Sequence, residues 1–484
     1  DAIANGLGIA LEEVQVLAEE GTLSFRSQGR PVPVLYDGAR GRVLFHGQPT
    51  ANWYTRDASY LISAGEGCAL PRREPGATEG ESVFPVQMRF EEDRLPLDSV
   101  ERMPEDLYYW NFIVGSTDPD ANRVDFDVDL DGYEGGALTL TVDLQGWSKS
   151  TWQNPDHHAE FSLNGTPVGE IEFDDQETAT AVLAIPAGIA VNGANTLTGR
   201  GALDAAFNYS CFVLDGITAE YDRTLAPLAE TAYLRAGGAT AVSAGAFEEP
   251  LAMALDDEGW YPTWIADANG EIPAKAWAVA AENERFAVIE ADAVPMLVPE
   301  PAAEDAWFMS ETNQIDYLVV ASRALAPAAQ ELADYRAAQG WRVGVAAFED
   351  ICDLLYDGLL TPEAIPEFLS YAAGTWAEFP QMMVLAGNGH NDYLEALGNE
   401  ANHVPPLLLQ TAEGFFAADG LLAEAGGEEG PDLAIGRLPA RSAEELAAMI
   451  AKIKAYEADS GSAWQSELVF AADQADAAGD YPAS

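Results

Sequence analysis

The feature that most constrains this chain is a change in the period of its apolar residues near residue 300. Upstream, from Thr22 to about Pro295, short runs alternate apolar with polar and break at Gly, Asn, Asp and Pro. That is the pattern of antiparallel strands with one face buried. Downstream, near-continuous apolar runs alternate with stretches of helical spacing, as parallel strands covered on both faces require. A chain with both periods needs more than one core, and 484 residues divide into roughly three or four domains.

The first half reads as all-β. "TLSFRSQGRPVPVLYD" gives two strands around Gln28-Gly29 within an N-terminal β region, residues 1–105. "ALTLTVDLQGW" alternates cleanly, and "HAEFSLNGTPVGEIEF" turns at Asn164-Gly165. A further Asn-Gly turn falls at Asn192-Gly193, and "CFVLDGITAEYDR" adds a closing strand. Residues 106–225 are therefore expected to form a β-sandwich or jelly-roll module, and residues 226–300 a small immunoglobulin-like one.

"LVPEPAAEDAWF", Leu297 to Phe308, is a linker rich in Pro, Glu and Ala. Residues 308–484 then read as an α/β domain. "IDYLVVAS" is its first strand. "APAAQELADYRAAQ" is a helix with Pro327 at its start and Gly340 past its end. "WRVGVAAF", "MMVLAG", "DLAIGR" and "ELVFAAD" are the further strands. Thr361 and Ser442 are expected to cap the helices "TPEAIPEFLSYAAGTW" and "SAEELAAMIAKIKAYEADS". In such sheets, sites lie at the carboxyl ends of the strands.

Charge excludes several functions. Eighty acidic residues stand against 24 basic ones, a formal net charge of −56. Such a surface repels phosphate backbones and anionic lipid, so nucleic acid is not an expected partner. No run of 18 apolar residues is present, so no membrane-spanning segment is expected. Self-repulsion at this density points to halophilic adaptation, because salt shortens the Debye length to about 3 Å at 1 M. The chain begins at Asp1 with no signal-like stretch, so any secretory signal is expected to have been removed or not included.

Candidate chemistry sits after two strands. "AGNGHND" places Asn388, His390 and Asp392 on one Gly-flanked loop, and "AADQADAAGD" places Asp473, Asp476 and Asp480 on another. A His beside an Asp is half of a nucleophilic site; oxygen-rich loops hold hard cations; and Asn and Asp also cap their own turns. Asn388, Asp392 and Asp473 are the expected calcium-type ligands. Cys68, Cys211 and Cys352 lack metal spacing, and the last two sit in apolar segments that make them core residues. His157 and His158 would point to opposite faces of a strand, so at most one is buried. No Gly-x-Ser-x-Gly elbow, P-loop, His-Glu-x-x-His or dinucleotide fingerprint occurs, so neither nucleotide nor haem is expected.

"YLVVASRALAPAAQELADYRAAQGWRVGVAAFEDI", "MVLAGNGHNDY", "VPPLLLQTAEGFFAADGLL", "PDLAIGRLPARSAEELAAMIAKIKAYE" and "LVFAADQADAAGDYPAS" occur in an order that resembles gingipain-type cysteine peptidases. "FHGQPTANWYTRDASYLI", "LYYWNFI" and "DHHAEFSLNGTPVG" resemble the β region ahead of the peptidase domain in that family. The resemblance implies a caspase-like domain that hydrolyses peptide bonds with a Cys nucleophile and a His, often with calcium. It implies an extracellular or cell-surface location, and protein or peptide substrates. The family's Gly-His-Gly turn and the Cys after it are expected beyond Ser484, so no catalytic residue is assigned in this chain, whose own remainder would be its partner. His390 falls on an earlier loop than the family's catalytic His, and Asn388 stands where an acidic residue is usual. The alternatives are a structural or glycan-binding β protein, with Trp147, Trp152 and Trp260 as candidates, and a sortase-like processing peptidase of the same family.

Overall fold

The computed structural model describes residues 2–469 except 39, 48–52, 98–106, 119, 151–153, 204–208, 228–230, 257–260, 267–274, 282, 301, 304, 400, 412–413, 427–429, 460, 463 and 465–466. It opens on two helices, Ala2–Leu7 and Leu11–Glu19, which no alternating pattern announced. They pack with strands Leu23–Ser27 and Val34–Asp37 around Val14, Leu23, Phe25 and Val34. The hairpin turn falls at Gln28 and Gly29, both at positive φ (50° and 72°), as a two-residue turn of this hand demands.

The largest β unit is a nine-stranded sheet within residues 83–224. Strand Asn111–Ser116 joins its two halves, pairing antiparallel with Cys211–Thr224 on one side and parallel with Gly193–Ala202 on the other. Alternate residues of both halves, among them Phe126, Val128, Leu140, Val142, Phe161, Leu197 and Phe212, meet in one core. Period two in the sequence becomes one buried face per strand. The Asn164-Gly165 turn forms as expected, at φ 49° and 79°. His157 is buried and His158 is half-exposed, as their adjacency in a strand requires.

A five-stranded sheet follows: Ala232–Arg235, Arg285–Glu290, Pro250–Leu255, Thr263–Ile265 and, from far upstream, Arg72–Arg73. The N-terminal region and this sheet are thus sewn together.

The α/β unit has four parallel strands: β1 (Tyr317–Ala321), β2 (Val343–Ala347), β3 (Met382–Ala386) and β4 (Ala434–Leu438), in the order β2-β1-β3-β4. Central β1 is buried at every position, which explains its unbroken apolar run. Helix α1 (Ala326–Ala338) connects β1 to β2 and carries the Pro in its first turn. α2 (Phe348–Leu355), which the sequence reading passed over, and α3 (Ala364–Thr375) lie between β2 and β3. α4 (Ala443–Ala458) follows β4, and the Ser442 hydroxyl accepts the Glu445 N–H at 3.2 Å as expected of an N-cap. Thr361 makes no such cap: α3 begins after Glu363 with no side-chain bond. β4 also differs from expectation. It begins at Ala434, two residues later than read, and among the described residues it is partly exposed at the sheet edge, with Gly436 inside it. The expected fifth strand, "ELVFAAD", lies largely outside the described residues. Among the described residues no helix is long and apolar enough to cross a membrane.

Candidate functional site

The loop at the carboxyl end of β3 runs against the segment 402–406. A Cβ on Gly387 would meet the Cβ of His403 at 2.7 Å, and one on Gly389 would meet the Val404 carbonyl oxygen at 2.5 Å. Both glycines are there because another chain segment lies against the backbone. Asn402 clasps the loop from outside, accepting the His390 N–H at 3.2 Å and donating to the His390 carbonyl at 3.0 Å.

Asp392 is completely buried. Its Oδ1 accepts the Ala396 N–H at 2.9 Å, and its Oδ2 accepts the Leu397 N–H at 2.9 Å and Asn399 Nδ2 at 3.1 Å. The carboxylate therefore organises the turn that follows it. Asn388 Oδ1 is buried and receives no hydrogen bond. Asp473, Asp476 and Asp480 lie outside the described residues. Calcium takes six to eight oxygens, whereas the two described donors have one uncommitted amide oxygen and a carboxylate already holding three donors. Arg437 adds a fixed positive charge here, donating from Nη1 to the carbonyls of Gly387 (3.0 Å) and Val404 (2.7 Å). By themselves these residues do not fit a hard cation.

Arg437 also donates from Nε and Nη2 to the two oxygens of Asp419, each at 2.7 Å. Asp419, on the 3-10 turn Asp419–Ala423, is thus a partner of this arginine. One planar fork holds the β3 loop, segment 402–406 and that turn together.

At the end of β1, Ser322 Oγ lies 2.9 Å from His403 Nδ1, and His403 Nε2 lies 3.2 Å from the Arg441 carbonyl. A carbonyl only accepts, so Nε2 carries a proton and Nδ1 shares a hydrogen bond with the serine hydroxyl. Ser322 is 3% exposed, so this pair ties loops together and presents no nucleophile. No local signal marked it, since the two residues are far apart in sequence. Cys211 and Cys352 are buried, and burial pushes both thiols up, the reverse of what a thiolate nucleophile requires. Both are core residues, as read from their apolar segments.

The β region reaches this loop. Tyr108 is 1% exposed and accepts the Leu394 N–H at 2.9 Å, while Leu107 and Tyr108 share a cluster with Phe415. Trp53 stacks edge-on to Phe415 (5.4 Å between centroids) and Tyr54 to Tyr393 (4.8 Å). Burial pushes the Tyr54 phenol up to about 12 and also raises that of Tyr393. An aromatic clamp from residues 53–54 and 107–108 therefore covers the turn at 391–396.

Residues 310–483 match the model of peptidase family C25. The chain carries a C25 peptidase domain. Its fold as a whole is similar to the crystal structure of dimeric latent PorU from Porphyromonas gingivalis, with a TM-score of 0.64 and 16% identity. That likeness covers 95% of this chain and 49% of the other, so the chain spans about half the length of that structure. The CBM36-1 domain of a multidomain xylanase from the hindgut metagenome of Trinervitermes trinervoides is 12% identical over 28% of this chain and 96% of that domain. Its TM-score is 0.18, and nothing about function follows from it. No curated protein matches the chain. Of the glycan-stacking candidates, Trp147 packs edge-on against Phe112, while Trp152 and Trp260 lie outside the described residues. The family reading thus attaches to the α/β unit of β1–β4, and the described part of the C25 domain contains structural ties without a reactive thiol.

Proposed function

We propose that this chain belongs to an extracellular C25-type cysteine peptidase acting on proteins or peptides, and that its β half is a prosegment. Residues 1–105 are its N-terminal β region, 106–225 its β-sandwich and 226–300 its immunoglobulin-like module, and residues from 308 on provide the scaffold of the peptidase domain. The Cys and His come from further chain that packs on this scaffold. The observation that supports this most directly is the aromatic clamp. A folded β region that seals a loop at the carboxyl end of the sheet, where α/β sites form, is placed to hold the domain shut.

The test uses the full-length gene product and residues 1–484 in parallel, on a peptide library with and without iodoacetamide. Hydrolysis by the full-length protein, abolished by alkylation and raised by Tyr108→Ala, is the expected result. Hydrolysis by residues 1–484 alone, or hydrolysis indifferent to alkylation, overturns the reading. In the native 1–484 protein Cys352 and Cys211 should resist iodoacetamide until the protein is unfolded, which peptide mass mapping detects.

A further inference from the structure

Among the described residues only two carboxylates are buried, Asp392 and Asp156. Asp392 receives three hydrogen bonds from its own turn. Asp156, whose side chain is 2% exposed, receives one, the Asp175 N–H on Oδ1 at 2.8 Å. No Lys or Arg among the described residues pairs with it. His157 Nε2 lies 3.6 Å from Oδ1 but closer to the carbonyls of Asp175 (2.9 Å) and Ser148 (3.1 Å). A buried carboxylate keeps its desolvation cost unless a cation or several donors offset it, and Asp156 has neither.

Two more carboxylates converge on it. Asp156 directly precedes strand His157–Leu163, and His157 pairs with Phe173, so Asp156 and Asp174 are the next opposed positions at that end of the hairpin. The turn 174–177 then brings in Asp175, at φ 49°. One oxygen from each of Asp156, Asp174 and Asp175 lies within 4.8 Å of the other two. Asp174 Oδ1 is shielded from solvent and accepts no hydrogen bond. The turn is held from behind: the Gly146 N–H donates to the Glu177 carbonyl at 3.0 Å and Gln145 Nε2 to the Gln176 carbonyl at 2.7 Å. A Cβ on Gly146 would meet the Asp175 carbonyl oxygen at 1.9 Å. Three like charges are pressed together by a frame that does not neutralise them.

We propose that Asp156, Asp174 and Asp175 form a calcium site in the β half of the chain, outside the C25 domain. Oxygens on opposite sides of a calcium ion, each about 2.3–2.6 Å from it, are about 4.6–5.2 Å apart, so three oxygens within 4.8 Å of one another can share one ion. Such a gap admits the ion but not a water, which needs about 2.8 Å to each oxygen, and the shielding of Asp174 Oδ1 accords with it. Asp175 is exposed, which gives the ion an entry and leaves room for the waters that complete its shell. Carbonyls only accept, so His157 Nε2 carries a proton and offers no lone pair to a nitrogen-seeking metal. Three carboxylates also exceed the one or two that magnesium usually takes. The bound ion neutralises Asp156 and staples the turn 174–177 to the start of strand His157–Leu163.

The experiment follows hydrogen exchange of the calcium-stripped 1–484 protein in about 1 M NaCl, where the Debye length of about 3 Å already screens general repulsion. Adding calcium chloride to about 5 mM, above the range typical of extracellular calcium modules, is expected to slow exchange of residues 156–157 and 174–177 roughly tenfold. Magnesium chloride at the same concentration should not. Asp156→Asn keeps an acceptor for the Asp175 N–H, and Asp175→Asn places a residue that tolerates positive φ; each should abolish the calcium effect. Glu177→Gln removes a neighbouring charge from outside the set and should preserve it. If Asp156→Asn does not fold, Asp175→Asn decides the matter. Exchange unchanged by calcium, an equal effect of magnesium, an effect that survives Asp175→Asn, or one lost in Glu177→Gln each overturns the proposal.

Discussion

Arg437 is one of 24 cations in the chain, and its geometry shows what this chain does with a positive charge. Its side chain is 14% exposed, and its four hydrogen bonds reach three chain segments. Arg437→Met leaves Asp419 and two carbonyls without their donor. Hydrogen exchange across residues 387–404 should then lose about 2 kcal/mol of protection, a figure below the 3–5 kcal/mol of a fully buried pair because Asp419 is partly solvated. Arg437→Lys should recover less than half, because an ammonium cannot grip a carboxylate through two parallel bonds. Equal protection in all three proteins would show that the fork is dispensable. At the surface, Asp316 accepts hydrogen bonds from Arg342, whose side chain and then backbone N–H lower its pKa from 3.8 to about 2. A depressed carboxylate stabilises the fold above its unfolded pKa and loses that contribution as pH falls, here between about 4 and 2. Carbon-detected NMR titration should place Asp316 near 2, and Arg342→Met should return it toward 3.8; an unmoved value would discount the pairing.

Among the elements, β4 and the linker changed most between expectation and structure. "DLAIGR" reads as a strand from Asp432 to Arg437, yet the strand starts at Ala434, runs to Leu438 and, among the described residues, lies at the sheet edge. Leu433, just outside it, is the buried residue, at 5% exposure. Periodicity identifies a strand but not its neighbours, and burial of an edge depends on what lies beside it. The linker narrows as well. Phe308 is 1% exposed and Trp307 donates to the Val345 carbonyl at 2.7 Å, so the end of "LVPEPAAEDAWF" already belongs to the α/β core. Limited proteolysis should therefore cut first within 294–300, at the exposed Met296–Val298 stretch, and mass spectrometry of the earliest fragments checks it. A first cut inside the nine-stranded sheet would contradict the boundary.

At the scale of the whole molecule, the arginines are deployed as bridges between acids. Arg89 meets Glu91, Asp143 and Asp215, and Arg323 meets Asp350 and Asp353. Such bridges cannot offset a net charge of −56, so repulsion should govern stability. We propose halophilic adaptation on this ground: the melting temperature should rise markedly between 50 mM and 2 M salt, as calorimetry would show, and an unchanged value would refute it. Composition alone made this surface legible. Local pattern likewise determined the switch from period two to strand-helix alternation, the parallel sheet, the Asn164-Gly165 turn, the Ser442 cap and the burial of Cys211 and Cys352, because each depends on neighbours within a few residues. The pairing of Arg437 with Asp419, the Ser322–His403 tie and the clamp of Tyr108 over residue 394 were decided only by tertiary structure. Each joins residues whose contact depends on how separate segments pack, and no local pattern encodes which of 80 carboxylates an arginine will meet.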